Sequence, residues 1–363
     1  MKISISLNRF KKGLGAVEKI IASKNTLPVL NNVLIKVENN QVILSATDLE
    51  MGINYYLGGK VENPGAITVP GKVLASFINN LNDEKINLEV KNNILLAQTN
   101  KSEASLNGIS ADEFPIVPKV EGKEILKIKG QDLKTAISQV AFSASFDESR
   151  PILTGVYFVA DGGKLKLVAT DSYRLAEKTL DVSVKDKINF VVPNKTIQEL
   201  HRVINGPEEI TIVLSENQIM FILPDMELTS RIIEGEYPDY KQIIPKNFKT
   251  KAIISVHDLV NAVKTAGFFT RENANNVKLS IKKDEVGIEA TSSQLGNFKS
   301  QLKSQVSGED NEINFNYRYL LDTLNVIGSE EVSLEVVGKL NPGVIRPEGV
   351  KADITYIIMP LRS

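Results

Sequence analysis

Two carboxylates stand at matching places in this chain. Asp48 closes Ala46-Thr47-Asp48, and Asp171 closes Ala169-Thr170-Asp171. Each follows a strand-like run, where a carboxylate could act as a general acid or base or hold a hard cation. The third occurrence of the pattern is Ala290-Thr291-Ser292, which lacks the acid. That loss, and the distance between the two aspartates along the chain, favours turn capping over catalysis.

Other chemistry is sparse. The two histidines, His201 and His257, lie on different predicted helices, where each is an ordinary surface residue or one half of a relay with a carboxylate. Gly13-Leu14-Gly15 resembles the start of a dinucleotide loop, but Glu18 replaces the third glycine and the run sits inside a helical pattern. There is no Walker-type loop and no HExxH. The chain has no cysteine, which removes thiolate metal sites, cysteine nucleophiles and disulfides. No metal or cofactor is expected.

The elements that carry these residues repeat. The Ala-Thr-Asp triplet recurs after 123 residues, and three further landmarks keep the same interval. Leu27-Pro28-Val29-Leu30 matches Arg150-Pro151-Ile152-Leu153, Val69-Pro70 matches Val192-Pro193, and Phe114-Pro115 matches Tyr237-Pro238. A third, more worn copy contains Ala290-Thr291-Ser292 and Tyr317. The 363 residues therefore divide into three domains, 1–120, 121–246 and 247–363. Each is long enough to bury its own core.

Each copy opens with a short alternating strand and a helix. Residues 8–22 form the first helix, with Asn8 as N-cap and Phe10, Leu14, Val17 and Ile21 on one face. Its counterparts start near Asp132 and Asp258. Strand pairs follow around Asn39-Asn40, Asp161-Gly162-Gly163 and Lys283-Asp284, all hairpin signals. A second helix presents Val73, Leu74, Phe77, Ile78 and Leu81 in copy one. Its equivalents are Ile197, Leu200, Val203 and Ile204, then Leu320, Leu321, Leu324 and Ile327. The fold class is α+β, with two amphipathic helices per copy packed on antiparallel sheet.

Forty-two per cent apolar and 24% charged residues suit a globular protein, and 43 basic residues balance 44 acidic ones. The balance leaves a nucleic-acid face open only if acids segregate elsewhere. No apolar run approaches the ~20 residues of a membrane span. The first residues lack a signal-peptide core, so a cytoplasmic location without membrane attachment is expected.

The solvent faces of the six helices lean basic or neutral. They carry Arg9, Lys12 and Lys19; Lys72, Ser76 and Asn79; Lys134 and Gln139; Lys195, Gln198 and Arg202; Asn261 and Lys264; Arg318 and Asn325. One such face is an ordinary solvated surface, whereas six related ones suit sequence-blind phosphate contact. Few aromatics interleave, so stacking on single strands is not suggested. Phe268-Phe269 ends the first helix of copy three, either as core or as a subunit contact.

Four longer stretches complete the pattern: Thr26-Leu27-Pro28-Val29-Leu30, Ala169-Thr170-Asp171-Ser172-Tyr173-Arg174-Leu175-Ala176, Glu234-Gly235-Glu236-Tyr237-Pro238-Asp239-Tyr240 and Tyr356-Ile357-Ile358-Met359-Pro360-Leu361-Arg362. In order and spacing the chain resembles the bacterial DNA polymerase III beta subunit family, the sliding clamps, along its whole length. The resemblance implies three DNA-clamp domains per chain and a head-to-tail homodimeric ring around double-stranded DNA, held topologically. It implies a non-catalytic processivity factor that docks the polymerase III alpha subunit, the clamp loader, other polymerases and repair proteins through short linear motifs.

The same resemblance assigns residues. Lys24 and Lys72 match positions held near DNA, and Lys12, Lys134, Lys195 and Arg202 join them by their helix faces. Leu106, Phe268 and Phe269 match the dimer interface. The partner groove maps to Leu153, Thr170, Tyr173, Arg174, Leu175, Pro238, Ile243, Val344, Ile358, Met359, Pro360, Leu361 and Arg362. Ser172-Tyr173 replaces a frequent Gly-His, and Gln242 stands where some members carry Arg, which bears on peptide preference. Two other readings remain: an enzyme using Asp48 or Asp171, and a repeat-built scaffold with no DNA dependence.

Overall fold

The computed structural model describes residues 1–21, 27–115, 117, 120–184, 186–270, 272–349, 351 and 353–362. The first repeat opens with β1 (Lys2–Ser6), α1 (Leu7–Val17), β2 (Asn32–Glu38), β3 (Gln41–Thr47) and β4 (Met51–Gly58). It continues with β5 (Lys60–Asn63), β6 (Gly65–Pro70), α2 (Gly71–Asn79), β7 (Lys85–Lys91), β8 (Ile94–Gln98) and β9 (Glu103–Asn107). The second runs β10 (Lys123–Lys129), α3 (Gly130–Val140), β11 (Gly155–Asp161), β12 (Lys164–Thr170) and β13 (Arg174–Asp181). Then come β14 (Ile188–Pro193), α4 (Asn194–Val203), β15 (Glu209–Leu214), β16 (Gln218–Leu223) and β17 (Met226–Arg231). The third has β18 (Thr250–Ser255), α5 (Val256–Gly267), β19 (Asn276–Lys282), β20 (Glu285–Ser292), β21 (Gly296–Lys303) and β22 (Gln305–Gly308). It ends with β23 (Asn311–Asn316), α6 (Tyr317–Val326), β24 (Glu331–Val336), β25 (Gly343–Glu348) and β26 (Ile354–Ile358).

The strand pairs follow the hairpin signals. Asn39 and Asn40 both take positive φ, 50° and 59°, as the two-residue turn between β2 and β3 requires. Gly162 and Gly163 do the same between β11 and β12, with φ of 55° and 77°. Helix limits differ from the sequence pattern. Helix α1 starts at Leu7 without a side-chain cap, so Asn8 is inside it, and it ends at Val17 before a 3-10 turn to Ile20. Val73 is 58% exposed and lies off the apolar stripe of α2, whose buried face is Gly71, Leu74, Ala75 and Ile78.

The chain forms two compact units: residues 1–133 with 195–232, and residues 134–194 with 233–363. In the first unit an eight-stranded sheet has the order β10-β15-β16-β17-β4-β3-β2-β6, and a five-stranded sheet the order β5-β1-β7-β8-β9. In the second unit a nine-stranded sheet runs β14-β11-β12-β13-β26-β25-β24-β18-β22, and a four-stranded sheet runs β21-β20-β19-β23. The two large sheets therefore join consecutive repeats. Strand β17 of repeat two pairs with β4 of repeat one from Met226↔Tyr55 to Ser230↔Met51. Strand β26 of repeat three pairs with β13 of repeat two from Arg174↔Ile358 to Lys178↔Ile354.

Helices cover these sheets closely. A side chain added at Gly13 would meet Leu44, Tyr55 and Leu57 at 3.0 to 3.2 Å, so this glycine lets α1 settle on β3 and β4. Packing explains Gly13, and no phosphate loop is formed. Phe10, Leu14 and Val17 fill the same layer with 1% exposure or less. Among the described residues, no helix is long and apolar enough to cross a membrane.

Candidate functional site

The Ala-Thr-Asp landmark builds the same turn twice. The Thr170 hydroxyl donates to the Arg174 carbonyl at 2.6 Å and accepts from the Ser172 amide at 3.1 Å. Asp171 Oδ1 accepts from the amides of Tyr173 and Arg174, both at 2.9 Å. In repeat one, Thr47 bonds the Met51 carbonyl at 2.8 Å and the Leu49 amide at 3.0 Å. Asp48 Oδ1 takes the amides of Glu50 and Met51 at 3.1 and 2.8 Å. Ser172 and Leu49 share a left-handed φ of 76°. In repeat three the Ser292 hydroxyl accepts from Gln294 and Leu295 instead. These side chains hold turns, the local competition with ladder bonding that Asp and Thr favour.

The turn in repeat two sets up a larger constellation. Arg174 sends Nε to Asp171 at 3.0 Å, one terminal nitrogen to Asp322 and the other to the Phe142 carbonyl at 2.9 Å. Its guanidinium lies over the rings of Tyr319, at 4.7 Å, and Phe142, at 5.2 Å. A planar, delocalised cation is suited to this place, and a lysine is not. Tyr319 in turn stacks on Tyr173, with centroids 6.5 Å apart. Tyr173 is 60% exposed, and its carbonyl accepts the Met359 amide at 2.8 Å. Thus one turn anchors both a charged stack and the terminal segment. Phe142, Tyr319 and Asp322 escaped the sequence reading, because nothing in their local pattern separates them from ordinary helix residues.

The expected groove residues divide by depth. Leu153, Thr170, Leu175, Val344 and Ile358 are buried, at 6% exposure or less. Leu175 packs with Val168, Tyr240 and Ile357, and Tyr157, Tyr237 and Ile244 pad that cluster. Sheet pairing sets Leu175 and Val344 on either side of Ile357. Tyr173, Pro238, Ile243 and Arg362 are exposed, and Met359, Pro360 and Leu361 are half-buried. The Tyr240 hydroxyl donates to Glu177 at 2.5 Å; burial first, and this bond second, push its pKa up, so it stays a neutral donor. Gln242 folds back onto Asp239 at 2.9 Å.

The expected DNA-facing cations differ in their freedom. Lys24 lies outside the described residues. Lys72 is exposed in the first turn of α2, and Lys134 is half-buried on α3. Lys12 is exposed, 3.8 Å from Asp225. Lys195 pairs with Asp48 Oδ2, which joins the start of α4 to the β3–β4 turn. Arg202, expected on a DNA-facing helix face, has intramolecular partners. Its guanidinium donates to the carbonyls of Gly15 and Ala16 at 2.9 and 2.7 Å and to Glu199 at 2.7 Å. It satisfies the open C-terminal carbonyls of α1 and is committed inside the first unit.

At the expected interface, Phe268 is 63% exposed at the end of α5. Phe269 stacks on Phe298 of β21, 6.0 Å away. Leu106 is 7% exposed within its own sheet, so it belongs to the fold as well as to an edge strand. The described residues contain no cluster of three or more His, Cys, Asp or Glu able to hold a metal ion.

Three copies of one α+β domain, with large antiparallel sheets that span successive copies, define the DNA-clamp class. The N-terminal domain of the DNA polymerase III beta subunit matches residues 1–118, its central domain 127–239 and its C-terminal domain 241–362. The chain belongs to the DNA polymerase III beta subunit family. The beta sliding clamp of Staphylococcus aureus is 31% identical over 376 residues, covering all of both chains. The sliding clamp of Bacillus subtilis superposes with a TM-score of 0.95 at 29% identity, covering 100% of this chain and 99% of that one. A Pseudomonas aeruginosa sliding clamp bound to griselimycin gives 0.96 at 28% identity over the full length of both.

Proposed function

We propose that this chain is the sliding clamp of a bacterial replicase: a non-catalytic, head-to-tail homodimeric ring that encircles duplex DNA in the cytoplasm. The pairing rule of the sheets carries the assembly. At both junctions within the chain, a last strand of one repeat joins the strand after the landmark turn of the repeat before it. The same rule leaves two strands over: β21 of repeat three and β9 of repeat one, each at the edge of its sheet. Head-to-tail pairing of two chains joins β21 of one to β9 of the other and closes the ring after two copies. Phe268, Phe269 and Leu106 flank or occupy those elements.

Exposed Lys72 and Lys12 give weak, screened phosphate attraction, which permits sliding where many tight contacts would arrest it. The surface that carries Tyr173, Pro238, Ile243 and Met359–Arg362 takes short peptides from the polymerase III alpha subunit, the clamp loader, other polymerases and repair proteins. Its apolar floor and flexible Met359 suit aliphatic and aromatic anchors. A family member solved with griselimycin supports a ligand-binding surface in these proteins.

The deciding experiment loads the protein onto a nicked circular DNA with the matching loader, then linearises the circle. Retention on the circle and loss on linearisation is the expected result. Equal retention on both forms would overturn the ring, and no retention on either would reopen the enzyme and scaffold readings.

A further inference from the structure

The terminal segment Met359–Arg362 has a second side. It lines a cavity of about 570 Å³ together with Glu312, Ile313 and Asn314 of β23 and Lys339-Leu340 of the β24–β25 loop. An adjoining hollow of about 320 Å³ shares Glu312 and Lys339 and continues to Lys282 and Asp310. The two make one trough along β23.

Strand β23 is the outer strand of its sheet, paired only with β19. Its edge is partly engaged already. The Leu361 amide donates to the Asn314 carbonyl at 2.9 Å, and Asn311 Oδ1 takes the Glu312 amide at 3.0 Å. Antiparallel alternation then turns the Asn314 N–H and the Glu312 carbonyl the same way, towards the trough. An open edge of this kind is a template for an added strand. The lining is net basic. Lys282, Lys339 and Arg362 are exposed, Glu312 is neutralised by Lys278 at 2.6 Å, and Asp310 is the one remaining acid of the trough lining. Leu340, 67% exposed, adds an apolar rim.

We infer that the trough receives an extended, acidic stretch of the same partner peptide whose apolar anchor sits in the groove, added as a strand along β23. This rests on the groove reading above. The stretch leaves the groove over Met359 and Pro360, pairs with the β23 edge where Leu361 begins the pattern, and sets its carboxylates against Lys339 and Lys282. Beyond the Leu361 contact, from Glu312 to Asp310, the edge offers about 7 Å, enough for two or three extended residues. Groove contacts thus read the anchor, and β23 reads the charge and extension of its flank.

The test uses the full-length protein and synthetic peptides with a Leu-Phe anchor, flanked on either end by five residues of alternating Asp and Ser, or by Ser alone. Calorimetry at low salt is expected to show the acidic flank binding about fivefold to tenfold more tightly. The gain should vanish in Lys282→Glu/Lys339→Glu, which should bind the Ser-flanked peptide like the unaltered protein. Methylating the flank's amide nitrogens should also remove it. Equal binding of acidic and Ser flanks, or indifference to N-methylation, overturns strand addition while leaving the groove intact. Failure of both peptides to bind sinks the groove reading, and this inference with it.

Discussion

Arg202 and Asp171 show how a side chain's partners decide its role. Arg202 sits on a basic helix face, yet its donors are spent on the Gly15 and Ala16 carbonyls. We expect Arg202→Ala to destabilise the first unit by about 1–3 kcal/mol, because it strands backbone acceptors and Glu199. A lowered melting midpoint with unchanged retention on circular DNA would match this; normal stability with lost retention would refute it. Asp171 holds two turn amides and Arg174 together. Asp171→Ala is expected to loosen Tyr173 and the Met359 contact, and so to weaken groove peptides more than Asp171→Asn, which keeps one acceptor oxygen. Calorimetric titration of both variants checks the order.

At the scale of elements, turns and helix seats set the register of each sheet. The β2–β3 hairpin depends on two residues with positive φ. Replacing Asn39 and Asn40 by Val should cost roughly 1–2 kcal/mol per residue, since branched side chains clash in that region. Asn40→Gly should be neutral or slightly stabilising. Urea unfolding with the slope held constant reads both directly. The landmark turns do similar work: each points the following strand back so that β4 and β13 can accept a strand from the next repeat.

For the whole molecule, one connection rule used twice leaves β9 and β21 over as edge strands, the pair that the proposed ring would join. Phe268→Glu with Phe269→Glu should give monomers. Phe268 is exposed for contact, and Phe269 supports β21 through Phe298. Sedimentation velocity distinguishes the states; a persistent dimer would place the interface elsewhere. The monomer should still melt cooperatively, because its cores remain closed within each unit.

The threefold repeat, the alternation of strand and helix, the hairpin turns and most buried helix faces were legible along the chain. These follow from local periods and turn chemistry, which are written along the chain. The sequence also marked Thr170, Asp171 and the terminal Met359–Arg362 as landmarks. Tertiary structure alone decided that the sheets cross from repeat to repeat, because β4 meets β17, more than 160 residues on, through backbone bonds that carry no sequence pattern. It decided that Arg202 caps a helix, that Leu106 is buried in its own sheet, and that Phe142, Tyr319 and Asp322 gather around Arg174. Which neighbour a polar group finds depends on how distant segments pack, and packing distance has no period to read.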